Sequence, residues 1–150
     1  MRRALALAAA VATVGLGGCG GCGGSGHRTA TAPGGGPPKP DRALADEAVV
    51  RLWSRALYDG RYGRAASFFA RGAVVQQAGT RVLHNRAEAV AFNRSLTCRA
   101  NVLGFRHERA GVLLATLNLG PGPGGGCTGG GRVTVRFGIR RGLIAAWRQL

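Results

Sequence analysis

Between Arg132 and Arg140 the side chains alternate almost without a break. Val133, Val135, Phe137 and Ile139 fall on one side, and Arg132, Thr134, Arg136 and Arg140 on the other. A period of two is the mark of a strand with one face buried and one face in water. The flanking segments extend this into a sheet. Arg141-Gly142 turns the chain, and Leu143 to Gln149 returns as a last strand carrying Trp147. Upstream, Arg99 to Glu108 and Gly111 to Leu119 read as a hairpin around Arg109-Ala110. Pro121 to Gly131 is a glycine-rich loop. Its glycine run at 124–126 lacks GxxxxGK[ST] and opens no helix, so it is not a phosphate loop.

The first half of the domain is helical. Ala45, Ala48, Val49, Leu52, Trp53, Ala56 and Leu57 recur at steps of three and four, which predicts an amphipathic helix starting at a cap on Asp41. Asp46, Glu47, Arg51, Ser54 and Arg55 take its polar side, and Asp59-Gly60 ends it. A second helix is expected from Tyr62 to Phe69, broken at Arg71-Gly72. Ala73 to Gln77 and Thr80 to His84 read as a small hairpin around Ala78-Gly79. Asn85 followed by Glu88 is a capping-box start for a third helix that ends near Leu96. Long antiparallel strands wrapped by a leading helix make a curved sheet with a concave face. The expected class is α+β: one domain, a cone-shaped antiparallel sheet and about three helices.

The N-terminus reads as an export signal. Met1-Arg2-Arg3 precedes an apolar run from Ala4 to Leu16. That run is shorter than the roughly 20 residues a spanning helix needs. It closes on Leu16-Gly17-Gly18-Cys19, the pattern of a bacterial lipoprotein signal, with Cys19 as the lipidated residue. Two or three acyl chains anchor firmly, at about 0.8 kcal/mol per buried CH₂. The organisation expected is a signal peptide over 1–18, lipidated Cys19 and a Gly/Pro-rich tether over 19–40, and a folded domain over 41–150. The bilayer is then the first partner, and the location is the outer face of the cell membrane.

The 21 basic and 6 acidic residues give a formal charge of +15, and removing Arg2 and Arg3 with the signal leaves +13. Nucleic acid is excluded as a partner, because the arginines are spread along the elements, no stacking module is present and the chain is exported. Two readings of the charge stay open: attraction to anionic lipid headgroups, and a GC-rich codon bias with no functional content.

Cys98 and Cys127 fall in the folded part and form the natural disulfide in an oxidising compartment. Metal binding is the rival reading. It wants more ligands at short spacing, and neither CxxC nor HxxxH occurs in the domain. Cys22 is left over in the tether.

Several stretches together resemble the nuclear transport factor 2-like superfamily, SnoaL-like branch. They are Ala48 to Trp53, Asp59-Gly60-Arg61-Tyr62, Ala65 to Phe69, Arg86 to Val90, and Phe137 to Ile144 with Trp147. The resemblance spans Leu44 to Leu150. It is strongest to exported actinobacterial members with one Cys after the third helix and another in a glycine-rich loop. It implies a bent sheet closed by helices around a pocket, in a superfamily of isomerases, cyclases, dehydratases and non-catalytic binding modules. Fold alone does not choose among these.

Enzymes of the superfamily use a cavity Asp, His or Tyr as acid or base. From Ala110 onward this chain has no Asp, Glu or His, and Gly72 or Ala73 stands where the family often has Asp. The candidate pocket residues are Trp53, Tyr58, Tyr62, His84, Phe92 and Trp147, with no catalytic residue, metal or cofactor assigned. The leading expectation is a non-catalytic pocket that takes a small apolar ligand or a protein partner. The alternative is an isomerase or cyclase using His84 with a tyrosine. A third is a homodimer through the open sheet face.

Overall fold

The computed structural model describes residues 40–122, 127 and 130–150. The signal peptide, Cys19, Cys22, most of the tether and the glycine run at 124–126 lie outside the described residues. Helix α1 spans Pro40–Tyr58, α2 Tyr62–Ala66 and α3 Arg86–Ser95. The strands are β1 Phe69–Gln76, β2 Thr80–Leu83, β3 Arg99–Arg109, β4 Val112–Gly120, β5 Gly131–Arg140 and β6 Leu143–Gln149. They form one curved, unclosed sheet in the order β2-β1-β6-β5-β4-β3. The helices cover its inner face, and the core lies between.

The local signals act as their chemistry requires. α1 begins at Pro40, whose fixed φ and missing N–H suit a first helical turn, so Asp41 lies within that turn and not at the expected cap position. It ends in a Schellman motif: Gly60 takes φ +69°, its N–H reaches Leu57 O, and the Arg61 N–H reaches Ala56 O. At α3, Asn85 Oδ1 accepts from the Glu88 N–H at 2.9 Å. Glu88 reaches back to the Asn85 side-chain amide and the His84 N–H, so both carboxylate oxygens are used.

Three expectations are corrected. First, the buried stripe of α1 is rotated. Asp46, Val50, Trp53, Ser54, Ala56 and Leu57 are buried, whereas Leu52, read as core, is 50 % exposed. Periodicity scores polarity, and it misses polar groups that find partners in the interior. Ser54 Oγ donates to Ala100 O at 2.5 Å. Asp46 lies in the field of Arg42, His107 and the Gly111 N–H, while its Oδ2 is buried without a hydrogen-bond partner among the described residues.

Second, α2 stops at Ala66 and β1 starts at Phe69, not at Ala73. The Ile144 N–H donates to Phe68 O, and Phe69 pairs with Ile144. Tertiary pairing thus overrides a short helical signal. Gly72, at φ +77°, lies in the register break between Phe69 and Val74. Third, the sheet is mixed: β1 runs parallel to β6 and every other pairing is antiparallel.

Candidate functional site

The inner face of the sheet follows from register. Leu117 of β4 pairs with Val133 of β5, Ala115 with Val135, and Leu113 with Phe137. Phe137 pairs with Trp147 of β6, and Trp147 with Val75 of β1. These inward rows meet α1 through Trp53, which packs edge-on against Phe137 and Phe69 at centroid distances of 5.4 and 6.3 Å. Phe69 stacks edge-on with Phe92, and Phe92 with Trp147. Such T-shaped contacts suit the ring quadrupoles.

Beside this aromatic chain lies a cavity of about 220 Å³. Trp53 and Leu57 come from α1, Leu96, Thr97 and Cys98 from the α3–β3 connection, and Ala100 from β3. Leu117, Leu119, Val133, Val135, Trp147 and Gln149 supply the sheet side, and Gln77 completes the lining. Gln77 and Thr97 are exposed and mark the mouth. None of the lining residues carries an ionisable side chain, since Cys98 is held in a disulfide.

Two features shape the rim of the cavity. The disulfide Cys98–Cys127, with Cα atoms 5.0 Å apart, ties the β4–β5 connection to the start of β3. Gly122 lies so close to Thr97 that a Cβ there would meet Thr97 O at 1.9 Å, so only glycine fits. Trp147 is 3 % exposed, and its indole N–H is buried with no acceptor among the described residues.

Of the six candidate pocket residues, the structure brings Trp53 and Trp147 together at this cavity. Phe92 is buried in the core and borders a separate depression beneath the β1–β2 hairpin. Tyr58 lies in a shallow depression with Arg99, 5.0 Å from its ring centre. Tyr62 is half-buried against the core, with the Arg94 guanidinium 6.0 Å away. His84 is exposed, in a surface groove with Arg71, Asn85 and Arg86. Its ring makes no hydrogen bond to either tyrosine among the described residues. Sequence reasoning missed Gln77, Thr97 and Gln149 at the mouth. Beyond the two tryptophans, the α1 periodicity that includes Leu57 and the strand alternation that places Val133 and Val135 inward pointed to the lining.

Titratable groups gather instead where the first half of α1 meets the β3–β4 hairpin. His107 Nε2 lies 3.0 Å from Glu47 Oε1. Burial raises the Asp46 carboxyl above its ordinary pKa, opposed by Arg42, His107 and the Gly111 N–H. Among the described residues no three His, Cys, Asp or Glu side chains are placed to hold a metal. Nor is any described helix long and apolar enough to cross a membrane.

A bent mixed sheet with three helices on its inner face, open at one end, is the nuclear transport factor 2-like fold. Among solved structures it is shared with a nuclear transport factor 2-like protein of unknown function from Cytophaga hutchinsonii, at TM-score 0.58 and 9 % identity over 70 % of this chain and 88 % of that one. It is shared also with a candidate ketosteroid isomerase from Kribbella flavida, at TM-score 0.55 and 15 % identity over 71 % and 76 %. A candidate polyketide cyclase from Sinorhizobium meliloti aligns at TM-score 0.55 and 18 % identity over 69 % and 94 %. No family model and no curated protein matches the sequence.

Proposed function

We propose that this chain is a lipoprotein held at the outer face of the cell membrane through Cys19, and that its domain binds a small apolar molecule without transforming it. The observation that carries the binding reading is the cavity wall: two tryptophans and a set of aliphatic side chains, with the neutral polar groups of Gln77, Thr97 and Gln149 and no ionisable group. General acid or base catalysis needs a titratable side chain within reach of the reacting proton. The size sets the ligand class. A 150 Å³ apolar cavity takes one benzene, and drug-sized ligands occupy roughly 300 Å³ or more. A volume of about 220 Å³ therefore suits a one-ring molecule.

The second reading, an isomerase or cyclase, draws on the names of the Kribbella and Sinorhizobium neighbours. In this chain His84, the base it would use, is exposed and outside the cavity lining. A protein partner at the mouth is compatible with the same site and adds no chemistry.

Intact mass analysis of the membrane fraction tests the anchor. The expected product begins at Cys19 and carries diacylglycerol, and Cys19→Ala moves the chain to the soluble fraction. An unmodified chain in the soluble fraction defeats this half of the proposal. Native mass spectrometry of the same preparation tests the cavity, through a molecule retained at one per chain.

A further inference from the structure

The outer face of the sheet has a different character from the cavity. Gln76, Arg148, Arg136 and Leu114 form one row across β1, β6, β5 and β4. Val74, Ala146, Gly138 and Val112 form the next. Around these rows Arg42, Arg109, Arg136, Arg140 and Arg148 line one concavity of about 780 Å³. Among the described residues only Arg136 of the five forms a salt bridge, with Glu108, and Arg42 is also attracted by Asp46. Arg136 and Arg148 stand directly opposite each other on neighbouring strands. Like charges so placed are destabilising, so packing alone does not account for them.

The side-chain chemistry points to phosphate. A guanidinium presents paired donors that match phosphate oxygens. The small residues Gly138 and Ala146 keep the floor between the arginines low. Beside them Val74 and Val82, cross-strand partners, are exposed. Arginines bordering exposed aliphatic side chains suit the boundary between headgroups and acyl chains. The chain also enters the described domain here: α1 begins at Pro40, and Arg42 already lines the concavity.

We propose that this arginine-lined outer face seats the domain on an anionic phospholipid surface, with the guanidiniums on headgroup phosphates. The choice of occupant rests on the proposed anchor at Cys19, because about 21 residues separate it from the start of α1, a length that spans roughly 25 Å at coil dimensions. A second copy of the chain fits the face poorly. Two such faces set both groups of five arginines against two Glu108 carboxylates.

The test uses the full-length chain with Cys19→Ser, which carries no acyl chain, in cosedimentation with vesicles of pure phosphatidylglycerol or pure phosphatidylcholine. Binding is expected to phosphatidylglycerol only, and it weakens as salt rises. Arg140→Glu with Arg148→Glu reduces it by more than about tenfold. Arg64→Glu with Arg94→Glu, the same charge change on α2 and α3, leaves binding near the parent level. Thermal melts confirm that both variants fold. Absence of binding to phosphatidylglycerol overturns the proposal, and so does equal loss in the two double variants. Displacement by inorganic phosphate at the concentration of lipid phosphate overturns it in favour of a small-anion site. A dimer that dissociates only in the Arg140→Glu/Arg148→Glu variant overturns it in favour of self-association. Because the tested chain is not acylated, none of these outcomes bears on whether Cys19 is lipidated in cells.

Discussion

The indole N–H of Trp53 donates to Asn93 Oδ1 at 2.8 Å, joining α1 to α3 through two side chains that are 1 % and 0 % exposed. The other end of the amide is also used, since Asn93 Nδ2 donates to Ala89 O at 2.7 Å. Asn93 is therefore a fully buried polar residue whose side chain is bonded at both ends. Asn93→Leu leaves the Trp53 donor buried and unpaired, which costs about 1–3 kcal/mol. Thermal or urea unfolding should show that loss. In a double-mutant cycle, Trp53→Phe and Asn93→Leu should together cost less than the sum of the two.

Cys98→Ser opens a loop of 29 residues in sequence separation. The chain-entropy model values such a crosslink at about 3.5 kcal/mol. For a domain of this size that is a fall of about 15 °C in melting temperature. The fall should appear in non-reducing buffer and vanish when wild type and variant are compared under reductant. An unchanged melting point without reductant shows that the bridge does not form.

Asp46 makes stability depend on pH in an unusual direction for a carboxylate. Burial raises its pKa above the ordinary 3.8. Between that value and the raised one, the native state holds a proton the unfolded chain has released. The contribution of Asp46 to stability is therefore fully present below 3.8, is lost as pH rises through this window, and stays constant above it. Asp46→Asn keeps the shape and an acceptor for the Gly111 N–H while removing the buried charge. It should raise the melting temperature near neutrality and leave it unchanged at the acid end. A variant less stable than wild type at neutral pH would contradict this account.

Gly111 closes the β3–β4 turn at φ +73°, and a Cβ there would stand 2.6 Å from Ile139 O. Its carbonyl accepts from the Ile139 N–H, so the two backbones cannot separate without losing that bond. Gly111→Ala combines left-handed strain with a backbone clash. It should cost more than about 1 kcal/mol, read as a lowered denaturation midpoint with an unchanged slope.

Much of this fold was legible because its signals are local. The alternation from Arg132 to Arg140, the Asn85–Glu88 cap and Gly60 at the end of α1 each act within a few residues. The rotation of α1 was not legible, because the partners that allow Asp46 and Ser54 inside are His107, Gly111 and Ala100, more than forty residues away. The early start of β1 depends likewise on Ile144. The site was legible only in part. Trp53 and Trp147 stood out as large aromatics on apolar faces, and they do line the cavity. His84 stood out by chemistry alone, and the β2–α3 junction turns it to solvent. Gln77, Thr97 and Gln149 carry no pattern, since only the assembled sheet brings their segments to one mouth.

The claim that the cavity accepts a small apolar molecule is tested most directly by the Trp147 indole N–H resonance, distinguished from that of Trp53 with Trp147→Phe. The chain is titrated with phenol, a one-ring probe, and the resonance reports on a residue that lines the cavity. The account predicts a shift that saturates at one phenol per chain. Leu117→Trp, which fills the cavity, should abolish it. A Trp147 signal that does not move, or that drifts without saturating, would contradict it.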